Sequence, residues 1–298
     1  RRVHTVARFM REALGVGPGD AVAIADQRSH PETVLLCFAA WACGAMALIV
    51  DMRDDRRRHQ QILRHAGVRA VFARDREEDS ASDNYLTRMT AVAGDLGIPH
   101  VVQLGGADRR AAHWLSVVED DATEPFAFDV FPPHTEAFLA YSTGPGGSAQ
   151  GVLLSYAILR TVESLAAHQG FERGEVFYLA EPMYRLDALV AGVLLPCLLG
   201  ATVVFDRRFS PGVLLERVED EGVTTLLVAP PGLRQICAHL RANELSLADD
   251  FPDVRDHLKR ILTQGRLPAA TAREVLSLFG LRVSHGFGID ELQGWGTL

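Results

Sequence analysis

Lysine is almost missing from this sequence. Lys259 is the only one, so 29 of the 30 basic residues are arginines, whose guanidinium keeps its proton at any working pH. A step that needs an amine able to lose its proton therefore has one candidate on this chain. Cysteine is sparse too: Cys37, Cys43, Cys197 and Cys237 form no C-x-x-C pair, and three of them lie in strongly apolar runs, the ordinary setting of a small buried thiol. That usage argues against a zinc site and for a reducing, cytoplasmic compartment. Positive charge in bulk is lacking as well. Lys plus Arg number 30 against 38 Asp plus Glu, a formal charge of -8, so no nucleic-acid partner is expected. An anionic ligand would need a local site.

Uninterrupted runs of membrane length are the next absence. Val34 to Val50 is uncharged for 17 residues and Ala188 to Phe205 for 18, the short edge of a spanning helix. Each carries a glycine about two-thirds along, Gly44 or Gly200, then a β-rich piece ending on Asp51 or Asp206. This reads as buried helix, glycine stop and buried strand, with no membrane partner. Residues Arg1 to Arg11 are too basic and interrupted for a secretion signal. What remains, at 48% hydrophobic and 23% charged, is the composition of a globular protein of one large domain or two ordinary ones.

Helix and strand signals alternate along the chain. Strands are expected at Ala21 to Ala25, Ala45 to Val50, Ala70 to Ala73, His100 to Leu104 and Ala137 to Tyr141, with helices between them. After a helix at Tyr156 to Gln169 the alternation resumes through strands Val176 to Leu179, Thr202 to Phe205, Thr225 to Ala229, Arg260 to Thr263 and Arg282 to Ser284. Such βαβ order implies mostly parallel sheets flanked by helices. The charge run over residues 74 to 84 reads as a solvated loop, and Gly105 to Pro133 as a polar surface excursion.

One segment carries chemistry. Tyr141-Ser142-Thr143-Gly144-Pro145-Gly146-Gly147-Ser148-Ala149-Gln150-Gly151 holds four glycines and three hydroxyls between an apolar strand and an apolar run that reads as helical. Unobstructed backbone N–H groups and hydroxyls suit such a loop to phosphates. A Walker loop is excluded for want of its lysine. Gly144, Gly146 and Ala149 satisfy G-x-G-x-x-[GA], but Glu163 falls in a helix and not at the end of the next strand, where a ribose-binding acid belongs. A hydrolase elbow is missed because Gln150 stands where its last glycine is required.

The segment Tyr141 to Ser155 resembles the phosphate loop of the adenylate-forming superfamily of acyl-CoA synthetases, peptide-synthetase adenylation domains and luciferases. A second loop, His285-Gly286-Phe287-Gly288-Ile289-Asp290-Glu291, is similar to that family's G-Y-G-x-T-E, and about 140 residues of alternating α/β separate the two, as in the family. Leu14 to Ile24, Gly44 to Asp51, Glu181 to Arg185, Leu199 to Val204, Thr224 to Pro230 and Gln264 to Pro268 extend the likeness over nearly the whole chain.

The resemblance implies the family's large N-terminal domain, two stacked α/β subdomains at residues 1–170 and 171–298. It implies ATP-dependent activation of a small carboxylic acid as acyl-adenylate, with Mg²⁺, for transfer to coenzyme A or to the phosphopantetheine of a carrier protein. By the same likeness Ser142, Thr143, Gly144, Gly146, Gly147, Ser148 and Gln150 would hold phosphates, and Gly265, Arg266, Gly286, Phe287, Gly288 and Asp290 the adenylate. Glu291 would hold the metal, while Tyr184, Arg185 and His285 would line the acyl pocket.

Departures from the pattern accompany the matches. Pro145 and Gly146 replace two hydroxyls, Gln150 replaces a lysine, Asp290 a threonine and Arg185 a histidine. Arg185 is suited either to an acidic substrate group or to Asp187. The chain stops at Leu298, before the family's smaller lysine-bearing domain, so this piece alone is expected to adenylate little. A second reading is a degenerate homologue that binds a nucleotide or acyl group without catalysis.

Overall fold

The computed structural model describes residues 1–26, 30–74, 85–104, 126–127, 129–143, 149–206 and 208–295. The chain divides into two compact units, Arg1–Ala157 and Ile158–Leu298, so the helix expected to close the first subdomain packs with the second unit.

The first unit opens with α1 (Arg2–Glu12), β1 (Ala21–Ala25), α2 (Pro31–Ala42), β2 (Met46–Ile49), α3 (Arg56–Ala66) and β3 (Val68–Arg74). It continues through α4 (Tyr85–Leu96), β4 (His100–Leu104), β5 (Glu136–Thr143) and β6 (Ala149–Ser155). The sheet order is β4-β3-β1-β2-β5-β6, parallel except for the antiparallel pair β5 and β6. Every residue of β1 and β2 is buried, as helices on both faces of a parallel sheet require, and the strands accordingly read as continuous apolar runs. Leu48, Ile62, Leu63, Val71, Met89 and Val92 belong to one core under this sheet.

Local chemistry sets the boundaries of α3. The Asp55 side chain accepts a hydrogen bond from the Arg58 backbone N–H at 2.7 Å, an N-cap. Gly67 ends the helix at φ 61°, a left-handed conformation that favours glycine.

A buried polar group sits where β1 and β3 end. Asp26 meets His30 Nδ1 at 3.0 Å, accepts from Thr33 Oγ1 at 3.2 Å and from Arg74 Nε at 3.1 Å. Burial pushes the Asp26 carboxyl up, but the His30 hydrogen bond and the Arg74 charge outweigh it and hold the group below the usual range.

The second unit begins with α5 (Ile158–Gln169) and β7 (Val176–Leu179). Its parallel sheet has the order β11-β10-β9-β7-β8, with β8 at Thr202–Val204, β9 at Thr225–Leu227, β10 at Arg260–Gln264 and β11 at Val283–Gly286. Leu214, Leu226, Val228, Leu233, Ile236 and Ile261 lie in its core. The run expected as one helix, Asp187 to Leu199, is α6 (Leu186–Leu189), a π-helical turn (Val190–Leu194) and α7 (Leu195–Leu199). Pro196 has no N–H to give to an ordinary helical ladder, and the wider turn ahead of it accommodates that loss. Gly192 in this turn lies so close to the sheet that an added Cβ would meet Leu179 Cδ1 at 2.5 Å and Leu227 Cδ2 at 3.1 Å.

Residues 149–155, read as helical, form strand β6, so the glycine loop joins a hairpin and does not lead into a helix. Cys37, Cys43 and Cys237 are buried, but Cys197, in an apolar run, is exposed near the end of α7. In the segment Gly105 to Pro133, Phe126 is buried, its N–H donates to His4 Nδ1 at 3.0 Å, and Arg11 lies over its ring. Residues 75–84 of the charge run and 105–125 of that segment lie outside the described residues. Among the described residues no helix is long and apolar enough to cross a membrane.

Candidate functional site

The glycine-rich segment belongs to the hairpin of β5 and β6. Its ladder pairs Tyr141 with Gly151, Ser142 with Gln150 and Thr143 with Ala149. Ser142 is half-buried and Gln150 exposed. Gly144, Gly146, Gly147 and Ser148 lie outside the described residues, as do the side chains of Thr143 and Ala149. Helix α3 braces the hairpin's base: His65 Nδ1 and the Tyr141 hydroxyl are 2.7 Å apart, and a Cβ on Gly151 would come within 3.3 Å of the His65 ring. Burial pushes the Tyr141 hydroxyl up to about 12, so it stays protonated.

In the second unit the candidate residues gather at the carboxyl ends of the strands. Adjacent chain connections leave β7 toward β8 and return to β9 on its other side, a reversal that opens a crevice at strand ends in doubly wound sheets. Glu181, just past β7, accepts a hydrogen bond from the Ala229 N–H, just past β9, at 2.7 Å. Burial raises the Glu181 carboxyl above its ordinary value, against that hydrogen bond and the Arg185 charge.

Beyond β10 and β11 the two loops are tied together. Thr263 and Gln264 pair with His285 and Gly286, and the His285 ring meets the Gly265 carbonyl. Gly265 has φ 104°, a backbone state that side chains resist. Arg266, Phe287 and Glu291 are exposed; Phe287 keeps 61% of its surface open, and Ile289 and Leu292 of the same segment are exposed as well. The loop turns back on itself: Gln264 Nε2 donates to the Gly294 carbonyl, and Gly288 packs against Gly294 so tightly that a Cβ would fall 2.6 Å from the Gly294 carbonyl carbon.

Arg185, expected near an acyl group, is engaged within the protein. Its Nε and Nη2 donate to the two Asp187 oxygens at 3.1 and 2.8 Å, with Glu181 Oε2 3.9 Å away. Asp187 is fixed in turn, because Trp295 Nε1 donates to its carbonyl at 2.9 Å. Asp290 feels the same set. Burial raises its carboxyl first, Glu291 and Asp187 raise it further, and Arg185 opposes them. Tyr184 is half-buried beside this group.

The structure thus brings Arg185 and Asp290 into one electrostatic neighbourhood, and His285 into contact with Gly265. Glu181, Asp187 and Gln264 were not singled out as site residues by sequence. Glu181 and Gln264 could have been, since Glu181 lies two residues past the end of β7 and Gln264 ends β10, both at the sheet's carboxyl edge.

The family profile described as AMP-binding enzyme matches residues 1–298. Curated relatives include 4-coumarate–CoA ligase 1 of Oryza sativa subsp. japonica, 26% identical over 96% of this chain and 50% of the relative. A fatty acid–acyl-carrier-protein ligase, ScoC of Streptomyces coeruleorubidus, is 24% identical over 98% of this chain and 52% of its own length. The chain therefore spans about half the length of the curated relatives it matches. Among solved structures, ATP-bound MatB from Rhodopseudomonas palustris superposes with a TM-score of 0.81 at 20% identity, over 98% of this chain and 54% of MatB. The anthranilate CoA ligase AuaEII in complex with anthranoyl-AMP gives 0.78 at 18%, over 99% and 54%. With two parallel-based α/β units, the glycine and hydroxyl hairpin and a profile match from end to end, the chain belongs to the AMP-binding enzyme family.

Proposed function

We propose that the protein of which this chain is part activates a small carboxylic acid with ATP and passes the acyl group to a thiol, of coenzyme A or of a carrier protein's phosphopantetheine arm. The family match over residues 1–298 carries the reading; relatives named as CoA ligases and as an acyl-carrier-protein ligase support the thiol acceptor. A carboxylate oxygen bonds to the α-phosphorus while the bond from that phosphorus to the α,β-bridging oxygen breaks, giving acyl-adenylate and pyrophosphate. The thiol sulfur then bonds to the acyl carbon, AMP leaves, and the thiol proton goes to solvent.

The chain's share is positioning and charge. Ser142, Thr143, Gly144, Gly146, Gly147, Ser148 and Gln150 would hold the phosphates. Gly265, Arg266, Gly286, Phe287, Gly288 and Asp290 would hold the adenylate, with the open Phe287 ring as a stacking surface. Glu291 offers an exposed hard carboxylate that suits Mg²⁺, and no group of three or more His, Cys, Asp or Glu that could hold a metal is found among the described residues. The ion would then complete its shell from nucleotide oxygens and water, and when bound it supplies neutralising charge to the phosphates. Tyr184, Arg185 and His285 would face the acyl group. With Arg185 already paired to Asp187, a neutral acyl tail fits that neighbourhood better than an acidic one.

Gln150 and Asp290 favour a second reading, a homologue that binds nucleotide without catalysis. Carboxylate-dependent ATP–pyrophosphate exchange by the full-length protein separates the two. Exchange with at least one aromatic or fatty acid, reduced at least about tenfold by Glu291→Gln, is expected. ATP binding without exchange for any acid would establish the second reading instead.

A further inference from the structure

The hairpin proposed to hold phosphates has no charged residue from Ser142 to Gly151, yet a polyphosphate brings several negative charges that neutral N–H groups and hydroxyls balance poorly. A cation stands at its base from outside the loop. Arg58, on the first turn of α3, donates from Nη2 to the Ser142 carbonyl at 3.2 Å. Ser142 is the direct ladder partner of Gln150, and opposed residues in such a ladder stand about 5 Å apart. The guanidinium therefore lies within a side chain's reach of Gln150, the position where the loop itself carries no charge.

The surroundings hold it there. Its side chain is 15% exposed, and its Nε lies 3.7 Å from Asp54 Oδ2, a carboxylate that is itself 35% exposed. At that length the Arg58–Asp54 contact is not a close bidentate pair, whereas the guanidinium fork matches a phosphate geometrically. The Asp55 cap orders the first turn of α3, on which Arg58 sits, and the His65–Tyr141 contact holds the far end of the helix against the hairpin.

We propose that Arg58 is the cation of the nucleotide's phosphate site, supplied by α3 to a hairpin that has none. This rests on the adenylating reading above. Its mark is charge: the site needs a cation near Gln150, and either strand β6 or helix α3 can provide it.

The test is isothermal titration of MgATP into the wild-type chain, Arg58→Gln, Arg58→Lys, and the double variant Arg58→Gln with Gln150→Lys, at about 0.05 and 0.3 M salt, with melting temperatures recorded alongside. Arg58→Gln is expected to weaken ATP about tenfold at low salt and to flatten the salt dependence, as the loss of one close charge pair does. Arg58→Lys should stay within about threefold of wild type, and the double variant should recover most of the lost affinity, although a lysine at 150 cannot restore the bond to the Ser142 carbonyl. Wild-type affinity in Arg58→Gln would overturn the inference while leaving the nucleotide reading standing. Loss without recovery in a fully folded double variant would also overturn it, showing that Arg58 acts only by holding the hairpin. No ATP binding by wild type would overturn both.

Discussion

At the scale of single residues, the loop after β11 shows how little freedom the site retains. Gly288 and Gly294 touch backbone to backbone, and backbone cannot step aside as a flexible side-chain tip can. Gly288→Ala should cost about 2 kcal/mol or more in urea denaturation, whereas Gly17→Ala, with open space around it and no left-handed φ, should change little. Asp290 makes a prediction of opposite sign. Burial and the neighbouring Glu291 and Asp187 raise its carboxyl in the folded chain, so folding becomes costlier as pH rises through the unfolded-state value and stays so above the folded one. Asp290→Asn should therefore melt higher than wild type at pH 7.5, with the gain shrinking as pH falls toward 4. An unchanged difference across that range would contradict the assignment. At this scale the sequence revealed residue types but not partners: Arg185 was visible as a cation, and only the fold shows its Nε and Nη2 engaged by the two Asp187 oxygens.

At the scale of elements, most of the architecture was legible because parallel strands buried on both faces write continuous apolar runs, and glycines such as Gly67 and Gly200 mark helix ends at positive φ. Strand β6 was not legible. Ala149 to Ser155 is a short apolar run, and periodicity alone cannot tell such a run from helix; its strand character comes from pairing with β5 along the whole length. The polar cluster at the ends of β1 and β3 was equally hidden, since Asp26 and Arg74 are 48 residues apart in sequence. Asp26 contributes stability present above its unfolded-state pKa and lost as pH falls through its lowered folded value. Asp26→Ala leaves Arg74 and His30 buried without that partner and should cost about 3 kcal/mol at pH 7 in urea denaturation. A cost under about 1 kcal/mol would show that the cluster does not bind the sheet edge together.

At the scale of the whole molecule, thiol chemistry reports on packing in both units. Burial pushes the Cys37 thiol up to about 12 and those of Cys43 and Cys237 to about 11, while Cys197 is exposed. Partial burial raises the Cys197 thiol too, so native protein should label with a thiol reagent faster at Cys197 than at the other three by virtue of its access, all four reacting in denaturant. The candidate site was legible at this scale through the glycine and hydroxyl segment, the Gly286 to Glu291 loop and their separation. The contribution of α3 was not, because nothing in Arg56 to Ala66 marks one arginine among several as lying against Ser142. An adenine nucleotide is the proposed ligand of this chain. Isothermal titration with MgATP, set beside titration with NAD⁺, tests this most directly. Saturable binding of MgATP with none of NAD⁺, weakened by Glu291→Gln, is the predicted result; NAD⁺ binding, or no binding of either nucleotide, would contradict it.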